Sequence, residues 1–252
     1  MKTIFKAAAL LVLIFINYSL AEDAIGYDNC DMNTNGEALV IAQYIKTGDI
    51  VFDVGANIGD WSRQVLSKAN IILFAFEPVP ATYELLKENI KGHNVHTLNL
   101  GLSNEVAVRD FFYYSQNLNY SQLSGLYYRP ILHTLFNIIP EKIAIQTTTL
   151  DKFCSEHLIS HIDFLKIDTE GAELEIFNGA QHMLEQNLIK VIQFEYGGCN
   201  KDSNTTLHQL YTLLGSYGYN VYRIVPNGLM LLSEWYSEYE NFRYSNYMAI
   251  LK

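Results

Sequence analysis

Basic residues are scarce in this sequence. Its 252 residues hold 17 Lys or Arg against 27 Asp or Glu, a net charge of −10. A chain so poor in positive charge lacks the cationic face that displaces counterions from nucleic acid, so no nucleic-acid partner is expected. Cysteine is rarer still: Cys30, Cys154 and Cys199 stand 124 and 45 positions apart. That excludes a small disulfide framework and any C-x-x-C zinc or redox pair. The sequence contains no G-x-G-x-x-G, no G-x-x-x-x-G-K-[ST], no G-x-S-x-G and no H-E-x-x-H. The usual marks of dinucleotide binding, phosphate loops, serine hydrolases and zinc proteases are therefore missing. There is no Pro/Ser-rich linker and no internal repeat, and with 49% hydrophobic and 17% charged residues the chain is not a disordered one.

The wholly apolar run at residues 7–16 falls short of the roughly 20 residues that span a bilayer. Lys2 and Lys6 precede it, and Ser19-Leu20-Ala21 separates it from the acidic Glu22-Asp23. A basic start, a short apolar core and small residues at −3 and −1 describe an export signal cleaved after Ala21, giving a secreted or exported protein. An uncleaved membrane anchor is the runner-up, and membrane contact is expected only in that case. Without residues 1–21 the net charge falls from −10 to −12, because Lys2 and Lys6 leave with them. The remainder divides into an N-terminal helical extension, 22–47, and one domain, 48–252.

From residue 36 onward short apolar runs alternate with helical patterns, which predicts an α/β domain with a mostly parallel sheet and helices on both faces. Strands are expected at 50–54, 71–76, 95–100, 162–168, 191–196, 219–225 and 247–251. The first five are rich in Val, Ile, Leu and Phe rather than alternating, as in strands buried on both faces. Pro80 suits a first helical turn. Asn178-Gly179 interrupts a helical pattern and splits it into two short helices. Residues 111–146 read as one extra strand followed by a loop-rich insertion beside the pocket.

The sharpest signal is Asp53-Val54-Gly55-Ala56-Asn57-Ile58-Gly59 at the end of the first strand. Gly55 permits a tight turn, and Gly59 lets a helix start close to a ligand held by free N–H groups. The second strand ends in Phe76-Glu77-Pro78, 24 residues after Asp53. An acid at that tip can grip the two hydroxyls of a ribose.

These residues, with Thr149-Leu150-Asp151, Ile162-Asp163-Phe164-Leu165-Lys166-Ile167-Asp168-Thr169-Glu170-Gly171-Ala172-Glu173, Gln193-Phe194-Glu195-Tyr196 and Asn246-Tyr247-Met248-Ala249, resemble FkbM-type S-adenosylmethionine-dependent methyltransferases. The resemblance implies a single Rossmann-like methyltransferase domain, a seven-stranded sheet with an antiparallel last strand. It implies S-adenosyl-L-methionine as cofactor and methyl transfer to an oxygen of a sugar, a glycan or a glycosylated small molecule. Carried over, Asp53, Gly55, Ala56, Asn57 and Gly59 surround the methionine part, Glu77 holds the ribose, and Leu100 and Gly101 approach the adenine.

Deprotonating a hydroxyl calls for a base. Asp168 at the end of the fourth strand is the first candidate, with Glu170 and Glu195 beside it. The same carboxylates suit a hard divalent ion, but nothing in their spacing demands one and no metal is expected. The alternative function is an exported, non-catalytic binding protein that keeps the fold. An export signal on a protein whose cofactor is made in the cytosol leaves both readings open.

Overall fold

A computed structural model describes residues 29–115 and 121–252; the expected export signal lies outside them. Helix α1 (Glu37–Tyr44) leads into the sheet. The first half is β1 (Ile50–Val54), α2 (Asp60–Leu66), β2 (Ile72–Phe76), α3 (Pro80–Asn89) and β3 (Val95–Leu98). Short β4 (Gly101–Leu102), β5 (Ala107–Tyr113), α4 (Pro130–Phe136) and β6 (Glu141–Thr148) follow. The chain then runs through α5 (Leu150–Glu156), β7 (Ile162–Ile167), α6 (Glu173–Asn178), α7 (Gln181–Glu185) and β8 (Ile189–Tyr196). It closes with α8 (Gly198–Asp202), α9 (Leu207–Ser216), β9 (Tyr219–Val225), β10 (Gly228–Leu231) and β11 (Ser245–Leu251).

The main sheet has eight strands in the order β10-β9-β11-β8-β7-β1-β2-β3. β1 pairs in parallel with β2 and β7, and β11 runs antiparallel to both β8 and β9. Alternate residues of one strand feed two cores. Phe52 and Val54 join Phe153, Phe177 and Leu210 on one face; Val51 joins Ile41, Trp61 and Leu86 on the other. Helices therefore cover both faces, as the sequence predicts.

Three expectations need correction. The sheet has an eighth strand because Pro226-Asn227 makes a two-residue turn that folds Gly228–Leu231 back on β9, with Gly228 pairing Val225. The 111–146 stretch holds more than the one extra strand expected: helix α4 and a second strand, β6, interrupt its loops, β5 and β6 pair antiparallel, and β4 adds to the far edge of β6, making a separate three-stranded sheet. The β6 sequence was hard to read because its residues alternate between exposed and covered, with no apolar run. The third strand also stops at Leu98, and the chain leaves the main sheet there for β4.

Gly179 ends α6, and α7 begins at Gln181. A Cβ at Gly179 would stand 2.1 Å from the Ser103 carbonyl oxygen, so the helix break lies directly against the turn after β4. Gly179→Ala is expected to destabilise the domain by about 2–3 kcal/mol, the scale of overpacking, and to lower the urea midpoint without changing its slope.

Candidate functional site

The β1–α2 loop folds as its composition dictates. Gly55 has φ +82°, and an added Cβ would sit 1.9 Å from the Asp168 carbonyl oxygen. The Gly55 and Ala56 amides donate to the Phe76 carbonyl at 3.0 and 2.9 Å, tying the loop to the end of β2. Asn57 is also left-handed, at φ 49°, and its side-chain oxygen accepts from the Ile58 amide at 2.8 Å. Gly59, at φ 88°, opens α2 where a Cβ would meet Leu86 at 2.9 Å.

Glu77 leaves β2 as a buried carboxylate. One oxygen accepts the Asn57 amide at 3.0 Å and the other the Val79 amide at 2.9 Å. Burial pushes its carboxyl up to about 7, with the Asp53 charge adding and the two amides opposing. Each oxygen keeps lone-pair capacity toward a cavity of about 810 Å³, which Glu77 lines together with Gly55, Ala56, Asn57, Leu100 and Gly101.

Asp53 and Gly59 are not in that wall. Asp53 is fully buried beneath the loop, where it accepts from Ser62 Oγ at 2.6 Å and faces Lys166 Nζ at 3.4 Å. It braces the loop from below, and Gly59 sets the start of α2. Neither is placed to touch a ligand in the cavity directly.

The far end of the same cavity is acidic. Asp168, at the tip of β7, pairs with Lys166 Nζ at 3.1 Å. Glu170 has φ 56° in the following turn and holds Arg129 at 2.7 Å. Glu195, in β8, lies against the Asp168 carboxyl. Burial pushes Glu170 up to about 7 against the pull of Arg129. Burial, with Asp168 and Glu170 as like-charged neighbours, lifts Glu195 well above the usual carboxylate range. The structure thus brings the three candidate acids together within one wall.

Glu170, Glu195 and Cys199 also place two oxygens and a sulfur within 4.8 Å of one another. The guanidinium of Arg129 already supplies positive charge to Glu170 there.

Lys166, Arg129 and Tyr244 line this end as well and do not stand out in the sequence. Lys166 is the one basic residue of a mostly apolar strand, which was its only signal. Burial alone would lower its pKa, but Asp168, Asp53 and Glu37 raise it, so it stays charged. Arg129 precedes Pro130 in the insertion and is buried, with Asp202 3.8 Å from its Nε. The insertion meets the site twice more. Asn57 donates to Ser121 Oγ at 3.4 Å, and Gly125 packs on Glu170. Away from the site, His157 closes α5, its ring nitrogen 2.9 Å from the Phe153 carbonyl.

The donor set suits S-adenosylmethionine: a carboxylate with free lone pairs for two hydroxyls, a loop with no room for side chains, and apolar walls beside them. Residues that would hold it are Glu77, the 55–57 backbone, Leu100 and Gly101.

Comparison with known proteins gives the same direction. Residues 53–221 match the model of the methyltransferase FkbM domain. The 31-O-demethyl-FK506 methyltransferase FkbM of Streptomyces tacrolimicus is 26% identical over 199 residues, spanning 70% of this chain and 75% of the relative. Hexuronic acid methyltransferase AglP of Haloferax volcanii is 27% identical over 174 residues, 68% of this chain and 66% of its own. The 2-O-methyltransferase NoeI of Sinorhizobium fredii is 24% identical over 192 residues, 73% of this chain and 78% of its own. Among solved structures, an FkbM methyltransferase from Methylobacillus flagellatus superposes with a TM-score of 0.50 at 12% identity, over 81% of this chain and 44% of that one. At that identity the superposition speaks for the fold alone.

Proposed function

Since the chain belongs to the FkbM methyltransferase family and is an S-adenosylmethionine-dependent methyltransferase, we propose that it methylates a hydroxyl oxygen of a sugar, a glycan or a glycosylated small molecule. The observation that carries this reading is one continuous cavity, with the glycine loop and Glu77 at one end and Asp168, Glu170 and Glu195 at the other. The named relatives support oxygen as the acceptor atom: one is a 2-O-methyltransferase, one remethylates a 31-O position, and one acts on a hexuronic acid.

S-adenosylmethionine, when bound, supplies an electrophilic methyl group on a sulfonium. The chain contributes placement and proton uptake. Glu77 and the close approach of the 55–57 backbone fix the donor half, so the acceptor oxygen approaches from the acidic end. Asp168, held by Lys166, takes the proton that the hydroxyl releases. Arg129 keeps the Glu170 side chain drawn toward the insertion and off that approach.

Labelled-methyl transfer into a panel of glycans tests the reaction. Asp168→Asn is expected to lower turnover at least 100-fold, the usual range for a general base, while changing affinity for S-adenosylhomocysteine less than about threefold. Full turnover by that variant would remove Asp168 from the base role. Absence of S-adenosylhomocysteine binding to the wild-type protein would sink the enzyme reading in favour of an exported binding protein. Export itself is checked by intact mass: cleavage after Ala21 leaves Glu22 as the first residue, and a mature chain beginning at Met1 would reject it.

A further inference from the structure

The charge of the acidic end constrains the acceptor. Five acids line it, Asp31, Glu37, Asp168, Glu170 and Glu195, against two cations, Lys166 and Arg129. Both cations are already committed. Lys166 is shared between Asp168 and Asp53, at 3.1 and 3.4 Å, and Arg129 between Glu170 and Asp202, at 2.7 and 3.8 Å. Glu37 is satisfied by three side-chain amides, from Asn35, Gln193 and Asn246, at 2.7, 2.7 and 3.1 Å.

Glu195 differs from the others. It is only 8% exposed, it faces the cavity, and among the described residues no amide, hydroxyl or cation hydrogen-bonds to it. Its hydrogen-bonding neighbour is the carboxyl of Asp168, and Glu170 and Cys30 stand close by. Two hydrogen-bonded carboxyls share one proton, so Glu195 keeps acceptor capacity that no donor fills, with Arg129 and Tyr244 also near it, and a ligand can supply that donor. An anionic ligand would instead meet five carboxylates against two cations that are each already ion-paired, with only the Arg129 Nε–H left without a hydrogen-bond partner.

We propose that Glu195 is a specificity-determining residue which selects an acceptor carrying hydrogen-bond donors and no negative charge, a neutral polyol or an amino sugar, and turns away uronates and phosphorylated sugars. This rests on the assignment of the acidic end as the acceptor site. Glu195 receives a hydroxyl or ammonium proton of the acceptor next to the reacting oxygen, and Glu170 with its Arg129 partner bounds the same space. Replacing Glu195 by its amide keeps the shape but adds an N–H donor that a carboxylate can accept. Replacing Glu170 by its amide releases the Arg129 guanidinium to receive a carboxylate.

The test uses three methyl glycosides that differ at one carbon: hydroxymethyl, aminomethyl and carboxylate. Binding to the S-adenosylhomocysteine-loaded protein is measured by saturation-transfer NMR and methylation by label incorporation. The neutral and amino forms are expected to exceed the carboxylate form at least 30-fold in kcat/KM, with the same ranking in binding. Glu195→Gln is expected to shrink that ratio at least tenfold, and Glu170→Gln to raise carboxylate-form binding, with S-adenosylhomocysteine affinity within about threefold of wild type.

A carboxylate form that binds as well as the neutral one would overturn the proposal, as would an unchanged ratio in Glu195→Gln. Binding of none of the three would overturn it too. A preference that disappears on treatment with a chelator would assign the acidic end to a metal ion instead. Failure of the reaction assignment looks different: the charge ranking persists in binding while no glycoside is methylated.

Discussion

Gly55→Ala is expected to lower the melting temperature by about 6–12 °C and to weaken S-adenosylhomocysteine binding at least 100-fold. Two costs add. A left-handed residue with a Cβ costs about 1–2 kcal/mol, and Gly55 has φ +82°. The new Cβ would also stand 1.9 Å from a backbone oxygen, that of Asp168, which no rotamer change can relieve. Together they come to about 3 kcal/mol or more, and for a chain of this size each kcal/mol shifts the midpoint by about 2–4 °C. Relief requires the loop and the tip of β7 to move apart, and that movement carries Asp168 away from the loop it faces. Gly48→Ala is the control. Gly48 has φ +95° with nothing within 4 Å, so it incurs only the backbone cost. Scanning calorimetry of both variants separates strain from collision. Equal melting temperatures for the two would show that the collision is relieved freely.

Affinity for S-adenosylhomocysteine is expected to rise about tenfold per pH unit below pH 7 and to level off above it, because Glu77 must be ionised to accept two ribose hydroxyl protons. Its carboxyl stands at about 7 in the ligand-free protein, against an ordinary 4.5, with burial as the main cause. Binding below pH 7 therefore releases a proton, which calorimetry detects as a dependence on the buffer's heat of ionisation. Glu77→Gln should lose at least 100-fold in affinity, since the amide nitrogen cannot accept, and its remaining affinity should no longer depend on pH over this range. A parallel pH profile in the variant would place the titrating group elsewhere.

The sign for stability is opposite. Between pH 4.5 and 7 the folded, ligand-free protein keeps the Glu77 proton that the unfolded chain gives up. Folding is thus strongest at the acid end of that window and declines toward pH 7, by up to about 3 kcal/mol from this group, then levels off. Glu170, also at about 7, acts in the same direction. Ligand restores what the rising pH removes, so the thermal shift on adding S-adenosylhomocysteine should be larger at pH 7.5 than at pH 5.5.

The donor half of the site was legible because its chemistry is local. A strand, two glycines and an acid at the next strand tip occupy 25 consecutive residues, Asp53 to Glu77, and each residue type has a backbone or hydrogen-bonding reason to be there. The parallel core was legible for a similar reason, since strands buried on both faces are mostly apolar rather than alternating. What escaped depends on partners far along the chain. Lys166 meets Asp53 across 113 positions, Arg129 meets Glu170 across 41, and Glu37 meets Gln193 across 156. A charged residue in a buried strand reads as a flaw until its counterpart is known. β6 escaped because its alternation resembles that of a polar surface stretch, and β10 because a four-residue strand carries almost no periodic signal. Asp53 shows the converse: the motif identified the residue, but only the fold shows that it works from underneath the loop.

The order of the strands has a consequence for biogenesis. β11 lies between β8 and β9, although the ribosome makes it after both. At about 5–20 residues per second, β8 waits several seconds with one edge unpaired, and the β9–β10 hairpin cannot dock until Ser245–Leu251 has emerged. The half that binds the donor, β1 to β3 with its helices, waits only for β7, which covers the free edge of β1 before β8 is made. Synthesis therefore passes through a stage in which the donor half is assembled, the acidic wall is incomplete because Glu195 lacks its neighbour Asn246, and two apolar strand edges are open to a chaperone.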